Sequence, residues 1–253
     1  MSDYTSCITD AQWQVINKFF DCKRKRKHKL DDIWNAIQYV VKTGCQWRML
    51  PIGFAPWQTV YYYFRTWKYA GLIDDIVEEL VYRVREKNDK NANPTVCIID
   101  SQSVKTTSVA GFAIGYDAGK KIKGRKRHIA TDTMGNLLAV EVHSASLQDR
   151  DKGFDIVCQA KQTYPSIKKT FADGGYSGAL IQKLKTHLQC ELEIVKKYEG
   201  KFRVLPKRWI VERTLAWINN DRRNSKDYEF TPLSSETITK LSFIKTALNK
   251  LFK

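Results

Sequence analysis

The spacing of apolar residues changes once along the chain, and this change constrains the fold more than any other feature. Before residue 86 the spacing is helical. Thr9 can cap a helix carrying Trp13, Val15, Ile16 and Phe19, and apolar residues recur with a helical period from Leu30 to Val41. Gly44 stops that second helix, and Pro51, Gly53 and Pro56 mark an irregular turn. Helices are predicted over Trp57–Tyr69 and from Ile73 to about Arg85. The stretch EKNDKNANP, residues 86–94, is polar and ends in proline, which reads as a linker. Two domains are therefore expected: a helical one over 1–90 and a second over 91–253.

Beyond the linker the pattern is that of strands. TVCII (95–99) is a β-branched apolar run that stops at Asp100. Residues 127–133 and 137–143 alternate apolar and polar around Met134-Gly135-Asn136, which predicts a hairpin. A helix is expected over Asp149–Tyr164, a short strand over Lys169–Ala172 stopping at Asp173, a helix over Leu180–Leu188 and a strand over Glu191–Val195. Pro206 opens a helix through about Arg223, and Ser234–Phe252 forms the last one. Three antiparallel strands followed by strands alternating with helices describe an α/β fold, a mixed sheet covered by helices. The ribonuclease-H-like fold has this order, and several other folds share it.

Charge narrows the partner. The chain holds 43 Lys and Arg against 27 Asp and Glu, a formal +16. A surplus of this size favours a polyanion, because neutralised phosphates release condensed counterions. Charge alone leaves nucleic acid, an anionic membrane surface and the ribosome open. No apolar run approaches the roughly 20 residues that span a bilayer, and MSDYTSCITD lacks a signal-peptide layout. The six cysteines are scattered without metal-binding spacing and read as reduced thiols. An intracellular setting is expected.

Asp100 and Asp173 each follow an apolar strand, the position at which α/β sheets present ligands. An aspartate there is equally an ordinary turn former. Gly174 and Gly175 would let a backbone or a phosphate come close. Projected at about 100° per residue, Ile210, Thr214, Trp217 and Ile218 share one helix face. Arg208, Glu212, Asn219 and Arg223 form a stripe on the opposite face. Glu212 can thus be a ligand on a rigid helix or a solvent-facing partner of Arg208. Three carboxylates suit Mg²⁺, which prefers hard oxygen donors. Two such ions roughly 3.5–4 Å apart can serve in-line phosphoryl transfer. Asp132, Asp149 and Asp151 compete for the role, but a hairpin strand and a helix N-cap are the expected places for Asp132 and Asp149.

The segments DSQSVKTT, GYDAGKKIKGRKRHIATDTMGNLLAVEVHSASLQDRD, FADGGYSG and RWIVERTLAWINNDRRNSKDYE closely resemble bacterial insertion-sequence transposases of the DDE type. The nearest group is the insertion-sequence-five family, within the broader insertion-sequence-four-like set. The similarity extends through ITDAQWQVI, DIWNAIQYVVKTGCQWRMLP and PWQTVYYYFRTW, and so covers nearly the whole chain. The resemblance implies a ribonuclease-H-like core with Asp100, Asp173 and Glu212 as catalytic, metal-binding carboxylates. It also implies Mg²⁺ or Mn²⁺, two ions in all, and cleavage of DNA at element ends followed by strand transfer. Element ends and target DNA would be the partners, a homo-oligomer the active assembly, and the bacterial cytoplasm, at the nucleoid, the setting. In the broader signature a Tyr, an Arg and a Lys surround the Glu; here Arg208 matches, whereas Leu205 and Asn219 stand at the other two positions.

Two basic runs, Lys23–Lys29 and Lys120–Arg127, are candidate phosphate-binding surfaces or solvated loops. The individual candidates are Lys105, Lys120, Lys121, Lys123, Arg125, Lys126, Arg127 and Arg208. Residues 30–41 and 57–69 can form a helix-turn-helix-like unit, with Gln58, Tyr62, Arg65 and Lys68 as candidate DNA contacts. The other readings to be weighed are a metal nuclease that cuts without joining and a catalytically silent DNA-binding repressor.

Overall fold

The structure is a computed structural model that describes residues 4–21, 24–195 and 207–252. Four helices precede the sheet: α1 (Asp10–Ile16), α2 (Leu30–Thr43), α3 (Trp57–Tyr69) and α4 (Leu72–Lys87). Thr9 caps α1 in a reciprocal box with Gln12. Gly44 ends α2 at φ 72°, a left-handed conformation that favours glycine. The buried face of α2, with Ile33, Trp34, Ile37 and Val41, meets Phe64 and Trp67 of α3, and Phe20 wedges edge-on between Trp34 and Trp67.

The sheet contains β1 (Val96–Lys105), β2 (Gly115–Asp117), β3 (Ile122–Thr131), β4 (Leu137–Ser144), β5 (Lys169–Ala172) and β6 (Glu191–Ile194). The main strands lie in the order β4-β3-β1-β5-β6, with β2 beside the start of β3. Strands β1, β3 and β4 are antiparallel neighbours; β1, β5 and β6 are parallel. This is the ribonuclease-H-like strand order, as expected. Helices α5 (Asp149–Thr163) and α6 (Ala179–Leu188) connect the parallel strands, and α7 (Arg208–Asn219) and α8 (Pro232–Leu251) follow β6. α7 rests on β1 and β3, while α8 lies against α4 and β4. One apolar core runs from Ile16 to Leu248 through the helices and the sheet.

Three expectations are corrected. β1 does not stop at Asp100 but continues to Lys105, because β3 pairs with it from Ile98 to Lys105 while the pairing with β5 ends at Phe171. The basic run is a loop only at exposed Lys120 and Lys121: the rest belongs to β3, where Gly124–Arg127 are buried. Asp149 is not the N-cap of α5; Gln148 holds that place, and Asp149 instead accepts from Ser101 Oγ and Lys126 Nζ, both at 2.7 Å. The expected start of α7 at Pro206, together with Leu205 and Lys23, lies outside the described residues.

Candidate active site

The candidate site forms where β5 ends and β1 continues. The last parallel pairs are Cys97↔Thr170 and Ile98↔Phe171. Extending that register by two residues sets Asp173 abreast of Asp100, on strands about 4.8 Å apart. Asp100 is largely withdrawn from water, and its carboxylate accepts from the Ser101 amide at 2.8 Å. Burial first, with the neighbouring Asp173 adding to it, pushes Asp100 up to about 6, although Ser101, Arg208 and Lys120 pull the other way. Asp173 caps the short turn Gly174–Tyr176, accepting from the Gly175 amide at 2.9 Å. Gly174 faces open space: a Cβ there would meet nothing within 4 Å.

Glu212 stands on the outer face of α7, its side chain 54% exposed. Arg208, one turn earlier, lies 3.1 Å from Glu212 and 3.3 Å from Asp173, so its guanidinium spans the two carboxylates. Its Nε has no well-aligned acceptor, so these are contacts of charge more than of hydrogen-bond geometry. Among the described residues no three His, Cys, Asp or Glu side chains close round a common point. Asp100, Asp173, Arg208 and Glu212 are thus brought together, with a cationic side chain where a metal ion would compete. The donor set fits a hard divalent cation. It is all carboxylate oxygen, and a buried, repelled Asp100 gains most from positive charge. Completing it requires Glu212 to turn away from Arg208.

The other predicted residues divide by burial. Lys105, Lys121 and Lys123 are exposed beside the site strands, and exposed Lys120 reaches the Ser101 carbonyl at 3.2 Å. Arg125, Lys126 and Arg127 are not surface groups, contrary to expectation. Arg125, 0% exposed, donates to the carbonyls of Phe112, Glu229 and Phe230 and pairs with Asp227. Arg127 donates to the carbonyls of Asn224 and Lys226, and Lys126 pairs with Asp149. Burial and the carbonyls and carboxylates they reach make these three struts between β3 and neighbouring segments, with Arg127 Nε the one buried donor among them left without a partner. On α3, Gln58, Tyr62 and Arg65 are exposed, but Lys68 is buried and donates to Ser234 Oγ. Arg223 lies past the end of α7, buried against Glu229, so it leaves the stripe predicted for it. Asp132 is buried in the β3–β4 turn and pairs with Arg85 at 2.7 Å, a structural role.

A second feature lies among the first helices. A groove of about 810 Å³ runs between Arg24–His28 and the Tyr62, Tyr63 and Trp67 side of α3. Sequence reading missed the buried partners of the site, Ser101, His128 and Tyr176. Tyr176 stands within the quoted FADGGYSG segment, the one signal that could have drawn attention to it.

A ribonuclease-H-like sheet with acidic side chains gathered beside its central strands is the class to which the sequence resemblance pointed. The chain belongs to the family described as "Transposase DDE domain", whose profile matches residues 91–238, more than half of it. A second profile, described as "Putative transposase of IS4/5 family", matches residues 8–77. A comparison with curated proteins found no match. Among solved structures, the chain is similar to the "Drosophila P element transposase strand transfer complex", with a TM-score of 0.35 and 14% identity. That similarity covers 75% of this chain and 45% of the other, so the chain spans less than half of that transposase's length. Among the described residues no helix is long and apolar enough to cross a membrane. The described cysteines Cys7, Cys45, Cys97, Cys158 and Cys190 are free thiols.

Proposed function

We propose that the chain is a transposase that cuts DNA at the ends of an insertion sequence and joins those ends to target DNA. The observation that carries this reading is the meeting of Asp100, Asp173 and Glu212 around Arg208, on a ribonuclease-H-like sheet in a chain of the DDE family. Asp100 and Asp173, with Glu212 once released by Arg208, would hold Mg²⁺ or Mn²⁺, two ions in the full site. When bound, such ions supply the charge that activates an attacking oxygen and stabilises a leaving one. The chain's own groups do the rest. The two aspartates are fixed by β1 and by the turn after β5, so their spacing is set before substrate arrives. Arg208, freed from Glu212, is placed to meet a phosphate. Exposed Lys105, Lys120, Lys121 and Lys123 bind the backbone of DNA crossing the site.

Residues 1–90 form the end-binding part in this reading, and 91–253 the catalytic part. Gln58 and Arg65 on α3 face outward for base or phosphate contact, and the basic-aromatic groove beside them suits DNA. Pairing two element ends requires at least two copies of the chain in the active assembly, working in the cytoplasm at the nucleoid. The test is incubation with the element's own ends, target DNA and Mg²⁺ or Mn²⁺. Joined products support the proposal; cleavage without joining identifies a nuclease, and binding without chemistry a repressor.

A further inference from the structure

Tyr176 is a large side chain of the FADGGYSG segment that the function above leaves without a role. It is 0% exposed, three residues after Asp173 and at the end of the turn that Asp173 caps. The backbone hydrogen bonds of this turn are local. The amides of Gly175, Tyr176 and Ser177 donate to Asp173 Oδ1, the Asp173 carbonyl and the Gly174 carbonyl. β5 has already ended, so sheet pairing does not hold the turn. The Tyr176 side chain does: its hydroxyl lies 2.7 Å from His128 Nε2 on β3, and its ring lies 5.4 Å from the imidazole. The Ser101 side chain on β1 also borders it. The ring occupies room that Gly153 of α5 leaves open. A Cβ at Gly153 would stand 3.1 Å from Tyr176 Cδ1 and 2.5 Å from Leu180 Cδ2.

The chemistry of the network gives it a direction. Burial pushes His128 down to about 3, and His143 beside it is also lowered by burial, so His128 is neutral at ordinary pH. Its Nδ1 is buried without a partner. An unpaired lone pair is cheaper to bury than an unpaired N–H, so the proton belongs on Nε2. Nε2–H then donates to the Tyr176 oxygen, and Ser101, which borders that hydroxyl, donates to Asp149 Oδ1, which Lys126 also binds. The Ser101 amide in turn holds Asp100. The Asp173 turn is therefore bonded to β3 through His128 and packed against the residue that fixes Asp100.

We propose that Tyr176 is a positioning residue: bonded to His128 and set against Ser101, it bolts the Asp173 turn to β3 and β1 and so sets the separation of Asp100 and Asp173. This rests on reading those two aspartates as cation ligands. Groups that orient a metal ligand through such contacts typically change affinity 10–100-fold when removed. The test is Mn²⁺ binding to the full chain without DNA, followed by the electron paramagnetic resonance of the free ion, with thermal denaturation run alongside. Tyr176→Phe keeps the ring and deletes the hydroxyl; it should weaken Mn²⁺ binding about tenfold with little loss of melting temperature. Gly153→Ala, which displaces the ring from the other side, should weaken it similarly. His128→Leu combined with Tyr176→Phe should add little to either alone, because both remove the same Tyr176–His128 bond. If Tyr176→Phe fails to fold, His128→Leu carries the same expected loss. Folded variants that bind Mn²⁺ as tightly as the parent chain overturn the proposal. Asp173→Asn serves as the control: if it too leaves Mn²⁺ binding intact, the aspartate site itself is wrong, and the positioning role falls with it.

Discussion

Replacing Asp100 by asparagine should stabilise the metal-free protein at neutral pH, because it removes a charge that the fold holds at a cost. Burial, reinforced by Asp173, raises Asp100 from 3.8 to about 6. A carboxyl whose folded pKa exceeds its unfolded value keeps its proton in the folded state between about pH 4 and pH 6, while the unfolded chain has lost it. Stability therefore falls as pH rises through that window and stays lower above it. At about 1.4 kcal/mol per tenfold change in acidity, the gap corresponds to about 3 kcal/mol. Partial contact with water at the site reduces this to about 1–3 kcal/mol. The asparagine oxygen can still accept from the Ser101 amide, so little is lost in exchange. Urea denaturation in chelator, at about pH 4 and about pH 7.5, measures the difference. The variant should be the more stable at the higher pH and equal to the parent near the lower one. Added Mn²⁺ should reverse the order, because only the parent gains binding energy from the ion. A variant no more stable than the parent in chelator at about pH 7.5 would refute the picture of a buried, repelled carboxylate.

Three further outcomes follow from particular contacts. Arg125→Ala strands buried Asp227 and three carbonyls, so it should cost about 3–5 kcal/mol in urea denaturation; a loss within experimental error would return Arg125 to the surface. Lys121→Ala with Lys123→Ala should leave the melting temperature unchanged, weaken DNA binding, and reduce the slope of log affinity against log salt by about 1.8; an unchanged slope would remove these residues from the DNA path. Gly135→Ala puts a methyl group 2.7 Å from Thr214 Oγ1 at a φ of 77°, beneath the helix that carries Glu212. It should destabilise by about 1–3 kcal/mol, and a neutral result would show that the turn yields.

What could be read in the sequence follows from which forces are local. The first helices were legible because capping by Thr9, the stop at Gly44 and the apolar stripe of α2 all act within a few residues. The strand before Asp173 was legible for the same reason, since the chain turns where Gly174 and Gly175 permit it. The burial of Arg125, Lys126 and Arg127 was not legible. The partners of Arg125 and Arg127 (Asp227, Glu229 and Asn224) lie about a hundred residues away, that of Lys126 (Asp149) lies beyond the β3–β4 hairpin, and only the folded sheet brings them together. Asp100 shows a subtler limit. Its run of β-branched residues stops there, yet Ser101 and Ser103 prolong the strand because β3 supplies pairing and Asp149 and Asp117 accept their hydroxyls. For Glu212 the structure shows the solvent-facing reading: it faces outward and pairs with Arg208, and Arg208 in turn reaches Asp173.

The central claim is that Asp100, Asp173 and Glu212 act as one cation-binding set in DNA cutting and joining. It is tested most directly by a strand-transfer assay on element ends with Asp100→Asn, Asp173→Asn and Glu212→Gln, each checked for retained binding to those ends. The account predicts that every variant still binds and that each loses joining by at least about a thousandfold, since residues that act as a unit fail singly. Joining at the parental rate by any one of the three, and by Glu212→Gln above all, would contradict it.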